Sequence, residues 1–303
     1  MRKYLLLVIL AITSATAFSQ DFSNKGKDFW VGYGYHQIMT AGNAQQMVLY
    51  FATDQVTNIT ISIPGTGYTQ NITTAGGTRV TTSAPLPKNG AQDARLMTEG
   101  LLNRGIHITS DKPMVAYAHI YNASVSGASI LFPTPTLGKE YYSINYTNIS
   151  NSANSNCWMY VIATDPGTTT VEITPTGSTI GGWTPGNTYT VTLNQGEIYN
   201  IMANYNNAAG KGDDLTGTLV KSISTGVGGC KRIGVFSGSG RIAISCDGSA
   251  PSSDNYMVQS FPKSAWGQKY LTASGSGGNT RNIYRICVQD PTTTVTVNGS
   301  PIS

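Results

Sequence analysis

Charge is scarce in this sequence. Lys, Arg, Asp and Glu make up 11% of its 303 residues, against roughly 25% in an average soluble protein. No run of Lys or Arg exceeds two residues and the formal net charge of +4 is spread thinly. The basic stripe that nucleic acid or an anionic membrane surface requires is therefore missing. Histidine is scarcer still, with only His36, His107 and His119. There is no Gly-x-Ser-x-Gly elbow, His-Glu-x-x-His helix, P-loop or dinucleotide-binding glycine pattern, which removes the most visible catalytic classes. No apolar run approaches the roughly 20 residues of a membrane-spanning helix. The four cysteines include no Cys-x-x-Cys pair and lie near no histidine cluster, so neither a metal nor another cofactor is expected.

The N-terminus is more informative. Arg2 and Lys3 precede a short apolar core at residues 4–12, and Ala15-Thr16-Ala17 offers a small-x-small cleavage site. This is the pattern of a secretory signal peptide, assigned to residues 1–20. The mature chain is expected to be secreted or held at the cell surface, an oxidising setting that suits disulfides.

An echo then runs through the chain. Gly26-Lys27-Asp28-Phe29, Gly138-Lys139-Glu140-Tyr141 and Gly267-Gln268-Lys269-Tyr270 each precede an aliphatic run that ends in Asp, at Asp54, Asp165 and Asp290. The Asp follows the Gly by 23 to 28 residues, and an alternating Thr/β-branched stretch comes next each time. A spacing repeated three times marks duplicated units. Strand signals recur between Gly, Pro, Asn and Asp breaks, as in all-β sandwiches. Residues 57–63, 189–193 and 295–297 alternate Thr or Ser with apolar residues, which predicts strands wet on one face. Residues 115–121 alternate small with large and predict a strand packed on both sides. Residues 91–103 are the best helix candidate, weakened by Gly100. The predicted fold is all-β, with tandem β-sandwich-like repeat units of about 110–130 residues packed in series. The boundaries are residues 21–137, 138–266 and a truncated third unit at 267–303. The Phe-Pro links at 132–133 and 261–262 are too short and apolar to swing, so rigid packing is expected.

Several residues are candidates for a role. Cys230 and Cys246 bracket residues 231–245, which read as a hairpin around Ser237-Gly238-Ser239-Gly240 and would bring the two thiols within disulfide reach. Cys157 and Cys287 could pair with each other, or Cys287 with a partner beyond residue 303. Asp54, Asp165 and Asp290 read as turn formers. Residues 211–217, with Asp213 and Asp214, read as a polar loop; the alternative is a calcium loop, although the spaced carboxylates of such loops are absent. His107 and His119 read as polar positions on strand faces, and His36 could be surface-exposed, with no partner carboxylate evident. Tyr33, Tyr35, Tyr141, Tyr142 and Tyr146 cluster in the openings. They are candidates for a recognition surface because Tyr supplies rigid contact area with a polar handle; the alternative is that they are core.

With the repeats in view, the chain resembles the N-terminal domain family of the IgGFc-binding protein. The resemblance rests on Gly26-Lys27-Asp28-Phe29-Trp30-Val31, the strand at 48–53 and Asp214-Leu215-Thr216-Gly217-Thr218. Further motifs are residues 233–238 after a cysteine, and residues 261–267 preceded by Ser253-Asp254-Asn255. It spans nearly all of residues 22–303. It implies non-enzymatic extracellular β-modules. In animals these lie in a large mucus glycoprotein named for binding antibody Fc. In bacteria they lie near the N-terminus of long secreted surface proteins, and this chain's signal and composition resemble that branch. No Fc-contact residues carry over.

The expected function is a binding or adhesion module contacting an extracellular glycoprotein or polysaccharide, with no nucleic acid partner and no membrane span. C-terminal domains of the same full-length protein are expected to follow. The alternative is a structural spacer projecting those domains. A carbohydrate-active enzyme is a third reading, which would require paired carboxylates about 5–10 Å apart in a groove.

Overall fold

The computed structural model describes residues 23–77, 79–224, 229–245, 249–273 and 282–302. The expected signal peptide and Cys246 lie outside the described residues. Among the described residues the regular elements are β-strands and four single 3-10 turns.

The first half forms β1 (Lys25–Val31), β2 (Gln46–Ala52), β3 (Asn58–Ile63), β4 (Tyr68–Thr73), β5 (Val80–Thr82), β6 (Gly100–Leu102), β7 (Ile106–Tyr121) and β8 (Ser126–Ile130). All but β6 join one antiparallel sheet built around β7. In β3 the alternation read from sequence holds, with Ile59, Ile61 and Ile63 buried and Asn58 exposed. At 16 residues β7 is long enough to change neighbours midway. Residues 106–110 lie between β1 and β3, and residues 117–121 lie between β2 and β8. Pro113, which has no N–H for a ladder, stands at the changeover. There the Asp111 carboxylate accepts the Asn58 N–H at 2.9 Å. The sheet curls into a half-barrel.

The second half forms β9 (Glu140–Tyr142), β10 (Asn148–Ile149), β11 (Cys157–Ala163), β12 (Thr169–Thr174), β13 (Tyr189–Leu193), β14 (Ile198–Met202), β15 (Tyr205–Asn206), β16 (Lys211–Gly212), β17 (Leu219–Ile223), β18 (Ile233–Ile242) and β19 (Asp254–Gln259). A central sheet runs β19-β18-β11-β14-β6 and an outer sheet runs β13-β12-β17-β9, with a small β10-β16-β15 ribbon beside them. Near the C-terminus β20 (Val295–Val297) and β21 (Ser300–Ile302) pair as a hairpin. The strand order of the first half recurs. In the second half β12 and β9 flank β17, as β3 and β1 flank the start of β7. Likewise β11 and β19 flank β18, as β2 and β8 flank the end of β7. One continuous strand joins the two sets in the first half, whereas the second half interrupts it between β17 and β18.

The middle of the central sheet, at β11 and β18, is buried on both faces. Every residue of β11 is buried, and they divide by parity. Trp158, Tyr160 and Ile162 enter the core shared with the half-barrel, among Phe29, Phe51, Ile61 and Ile108. Cys157, Met159, Val161 and Ala163 enter a second core under the outer sheet, with Val171, Ile173 and Val220. Full burial of such side chains stabilises by about 1.5–3 kcal/mol each. The result is three layers in which the central one serves both neighbours. The chain also stitches the layers at their edges. Through β6 the first half adds a strand to the central sheet beside β14, and β19 borders β8, where Ser129 Oγ accepts the Gln259 N–H at 2.9 Å.

Four expectations need correction. Residues 91–103 form no helix; they cross the molecule irregularly, bury Ala94 and Leu96 in the shared core, and end in β6. Residues 115–121 are packed on one side only, with Ala116, Ala118 and Ile120 inward and Tyr117 exposed. Residues 231–245 contain no hairpin, because Ser237, Gly238, Ser239 and Gly240 lie within the continuous β18. The physical reason is ring packing rather than turning. The Trp158 ring is slotted between Gly238 and Gly34, where an added Cβ would come within 2.2 Å and 2.3 Å of it. Finally, His36 is 0% exposed. Its Nδ1 accepts the Ile38 N–H at 3.2 Å and caps a 3-10 turn.

The openings share a closure. The Tyr141 hydroxyl accepts the Gly138 N–H at 2.7 Å, and Tyr270 does the same for Gly267 at 2.7 Å. Pro262 sits where a Gly138 side chain would be, 2.4 Å from an added Cβ, as Pro133 does for Gly26 at 2.5 Å. In the first two openings the glycine is thus the seat for the proline of a Phe-Pro link.

Burial depresses the His36 imidazole to about 4, below its unfolded value of roughly 6.5. The folded state therefore resists protonation that the unfolded chain accepts, so stability falls from about pH 6.5 and this contribution levels off near pH 4. The loss should total about 3 kcal/mol. Denaturant titrations at pH 7.5 and pH 5 should show a smaller drop for His36→Asn than for the wild type; an equal drop would contradict this reading.

Candidate binding surface

The outer face of β5, β2, the end of β7, and β8 lies opposite the half-barrel core. Register places Tyr50 opposite Tyr117 and Thr82, Val48 opposite His119, and Gln46 opposite Tyr121. On the other flank Ile130, Ala128 and Ser126 sit beside Tyr117, His119 and Tyr121. No residue in these rows carries a carboxylate, ammonium or guanidinium group. The aromatic rings support one another. His119 stacks on Tyr121 with centroids 4.5 Å apart and leans on Tyr50 at 5.8 Å. The Tyr50 hydroxyl is hydrogen-bonded to His119 Nδ1 at 3.2 Å. Partial burial lowers the His119 pKa, which favours the neutral ring. Val48, beside His119 on this face, is 3% exposed, and Tyr117 is 38% exposed. The surface is neutral, aromatic and preorganised.

The tyrosines expected to form a recognition surface lie elsewhere. Tyr33 and Tyr141 are 0% exposed and Tyr35 is 3% exposed. Burial raises all three phenols above their ordinary pKa. Tyr33 donates to the Val48 carbonyl, Tyr141 to the Ile233 carbonyl at 2.8 Å, and the Tyr35 hydroxyl bonds Thr40 Oγ1. The opening segments run between layers, so their rings become core. Tyr142 is half-buried against Trp266, and Tyr146 lies edge-on to Tyr256 with the Arg285 guanidinium 5.0 Å over its ring. The sequence signal for this surface is the alternation at Tyr117, His119 and Tyr121, a pattern that equally predicts strand packing.

The remaining candidates resolve individually. Asp165 accepts the Arg232 backbone N–H and its guanidinium at 2.8 Å, and Asp290 accepts the Thr292 N–H as a turn former. Asp54 pairs with Lys25. Asp213 accepts the Ser178 N–H, while Asp214 binds Thr216 and the Arg285 guanidinium. The two carboxylates serve different neighbours, and no cluster of three or more metal-ligating side chains occurs among the described residues. His107 stacks on Trp30 and bonds Asp28 at 2.7 Å, tying β1 to β7. The expected hairpin is absent, so Cys230 and Cys246 lose the local reason for pairing. A groove of about 610 Å³ beside Gly138 contains one carboxylate, Glu140, paired with Lys263 at 2.8 Å.

These features define an all-β, sandwich-like module with an aromatic face on its first sheet. The family model described as IgGFc binding protein matches residues 127–303, and the chain belongs to that family. Its domains are extracellular binding modules. The opening at residues 26–31, which contributed to the resemblance, falls outside the matched span. No curated protein and no solved structure matches the chain. No helix among the described residues is long and apolar enough to cross a membrane.

Cys157 and Cys287 are both free thiols. Burial pushes Cys157 up to about 12 and raises Cys287 to a lesser degree. Iodoacetamide at pH 8 should therefore modify Cys287 in the native protein and Cys157 only after denaturation, as read by peptide mass. Native labelling of Cys157 at the same rate would contradict the burial.

Proposed function

We propose that this chain is an adhesion-type binding module of a secreted or cell-surface protein, contacting a glycoprotein or polysaccharide through the Tyr50, Tyr117, His119, Tyr121 face. The observation that carries the reading is the lack of charged side chains in the strand rows of that face together with its stacked rings. A neutral sugar presents C–H faces that pack on aromatic rings, and hydroxyls that Tyr and His can bond. Neither partner then has to desolvate an ion. Tyr adds contact area at small conformational cost. A broad face of this kind suits an extended ligand better than a small molecule, which would need a cavity.

A second reading, a rigid spacer that projects further domains, is favoured by the core shared between the two halves. The test uses the mature protein on immobilised mucin and on neutral polysaccharide, compared with Tyr117→Ala/Tyr121→Ala. Loss of two aromatic anchors should weaken binding tenfold or more, on the scale of about 1–2 kcal/mol per anchor. Unchanged binding by the variant would refute the face, and absence of binding by the wild type would favour the spacer.

A further inference from the structure

The groove beside Gly138 differs in chemistry from the aromatic face. It lies where the Pro135–Leu137 link meets the second opening, and it gathers Lys139, Arg232 and Lys263 around a single carboxylate, Glu140. With the Asp165 carboxylate that holds Arg232 counted beside Glu140, three cations face two anions, and Lys139 carries the unpaired positive charge in a chain with few charges. Two of the cations are fixed in place. The Arg232 Nε and Nη2 are held on Asp165 at 3.1 Å and 2.8 Å, which leaves Nη1 for another acceptor. The Lys263 ammonium is held on Glu140 at 2.8 Å and keeps two further protons to donate. Lys139 is exposed and takes part in no ion pair among the described residues. Ser264 adds a hydroxyl, and Pro135 and Leu137 add apolar wall.

From this geometry we infer that the groove binds the anionic group of an acidic sugar, a carboxylate or a sulfate ester. Arg presents a planar fork that matches either oxyanion, and Lys presents a point charge. The volume of about 610 Å³ exceeds what one small ion fills and accommodates a ring-sized residue, with its C–H face toward Pro135 and Leu137. The inference rests on the glycan-binding reading and adds a charged subsite to it, apart from the aromatic face. An acidic peptide is a different partner class and is disfavoured by the ring-sized, partly apolar groove.

Four probes separate the possibilities: a sulfated heparin-derived hexasaccharide, an oligogalacturonate, a neutral cello-oligosaccharide and a poly-Glu peptide. Binding is measured by calorimetry at 50 and 500 mM NaCl. The acidic oligosaccharides should bind, more weakly at high salt because exposed charges are screened. Their relative affinities distinguish sulfate from carboxylate as the source. Lys139→Gln breaks no ion pair, and it should weaken acidic oligosaccharide binding about five- to tenfold while leaving the melting temperature unchanged. Lys263→Gln should weaken it further. Acidic oligosaccharides that bind no better than the neutral one, or a Lys139→Gln protein with unaltered affinity, would overturn the inference. Tighter binding of poly-Glu than of either saccharide would also overturn it, in favour of a protein partner. If the aromatic-face reading alone fails, neutral saccharide binding is lost while the acidic, Lys139-dependent binding remains.

Discussion

Much of this structure depends on two side chains of β11 that reach into the first unit. The Trp158 indole N–H donates to the Tyr35 carbonyl at 2.7 Å. The Tyr160 hydroxyl donates to the Gly32 carbonyl at 2.7 Å and accepts the Gly32 N–H at 2.8 Å. The backbone at residues 32–35 has left β1 and runs through the core, where an unpaired polar group costs about 1–3 kcal/mol. Hydroxyl and indole thus satisfy a buried segment while their rings fill the space around it. Tyr160 stacks on Phe236 at 4.8 Å and on Trp158 at 5.8 Å. The first unit shares its core with these side chains, whereas the second unit keeps a further core of its own under the outer sheet.

That dependence explains where a binding surface can lie. The inward faces of β2 and β7 are committed to the shared core, and the middle strands of the central sheet, β11 and β18, have no free face. Ligand contact falls to surfaces that the layering leaves open. These include the outer aromatic face and the groove where the chain passes from one unit to the next. The first is neutral and broad, the second concave and cationic. Both are set on strands or on the short Phe-Pro link, whose proline occupies the seat left by the opening glycine. A site built on such elements holds its geometry before a ligand arrives, which reduces the ordering cost of binding.

Much of the architecture was legible in the sequence because period-two alternation and repeat spacing report directly on strands. The Ile59, Ile61, Ile63 run marked its own buried face, and the first two Gly-x-x-aromatic openings both seat a proline on their glycine. What the sequence did not reveal was tertiary. The continuous run of large residues from Trp158 to Ile162 carries no alternation because both of its faces are buried, so its position between two cores was unreadable. Ser237-Gly238-Ser239-Gly240 has the composition of a turn, yet its small residues make room for the Trp158 and Tyr35 rings. Tyr33, Tyr35 and Tyr141 looked like surface recognition residues because tyrosine suits both settings. Only the layer that covers them decides the matter. His36 shows the same ambiguity, with a polar side chain placed by backbone capping rather than by solvent.

The central claim is that the two units fold as one body through the shared core. Native-state hydrogen exchange of the mature chain in rising denaturant tests it most directly, by following amides of β3 and β7 in the first unit and of β12 and β17 in the second. The two sets should merge into a single opening free energy, and Tyr160→Phe should lower both together. Exchange of one set through a separate, lower-energy opening, with the other still protected and unaffected by Tyr160→Phe, would contradict it.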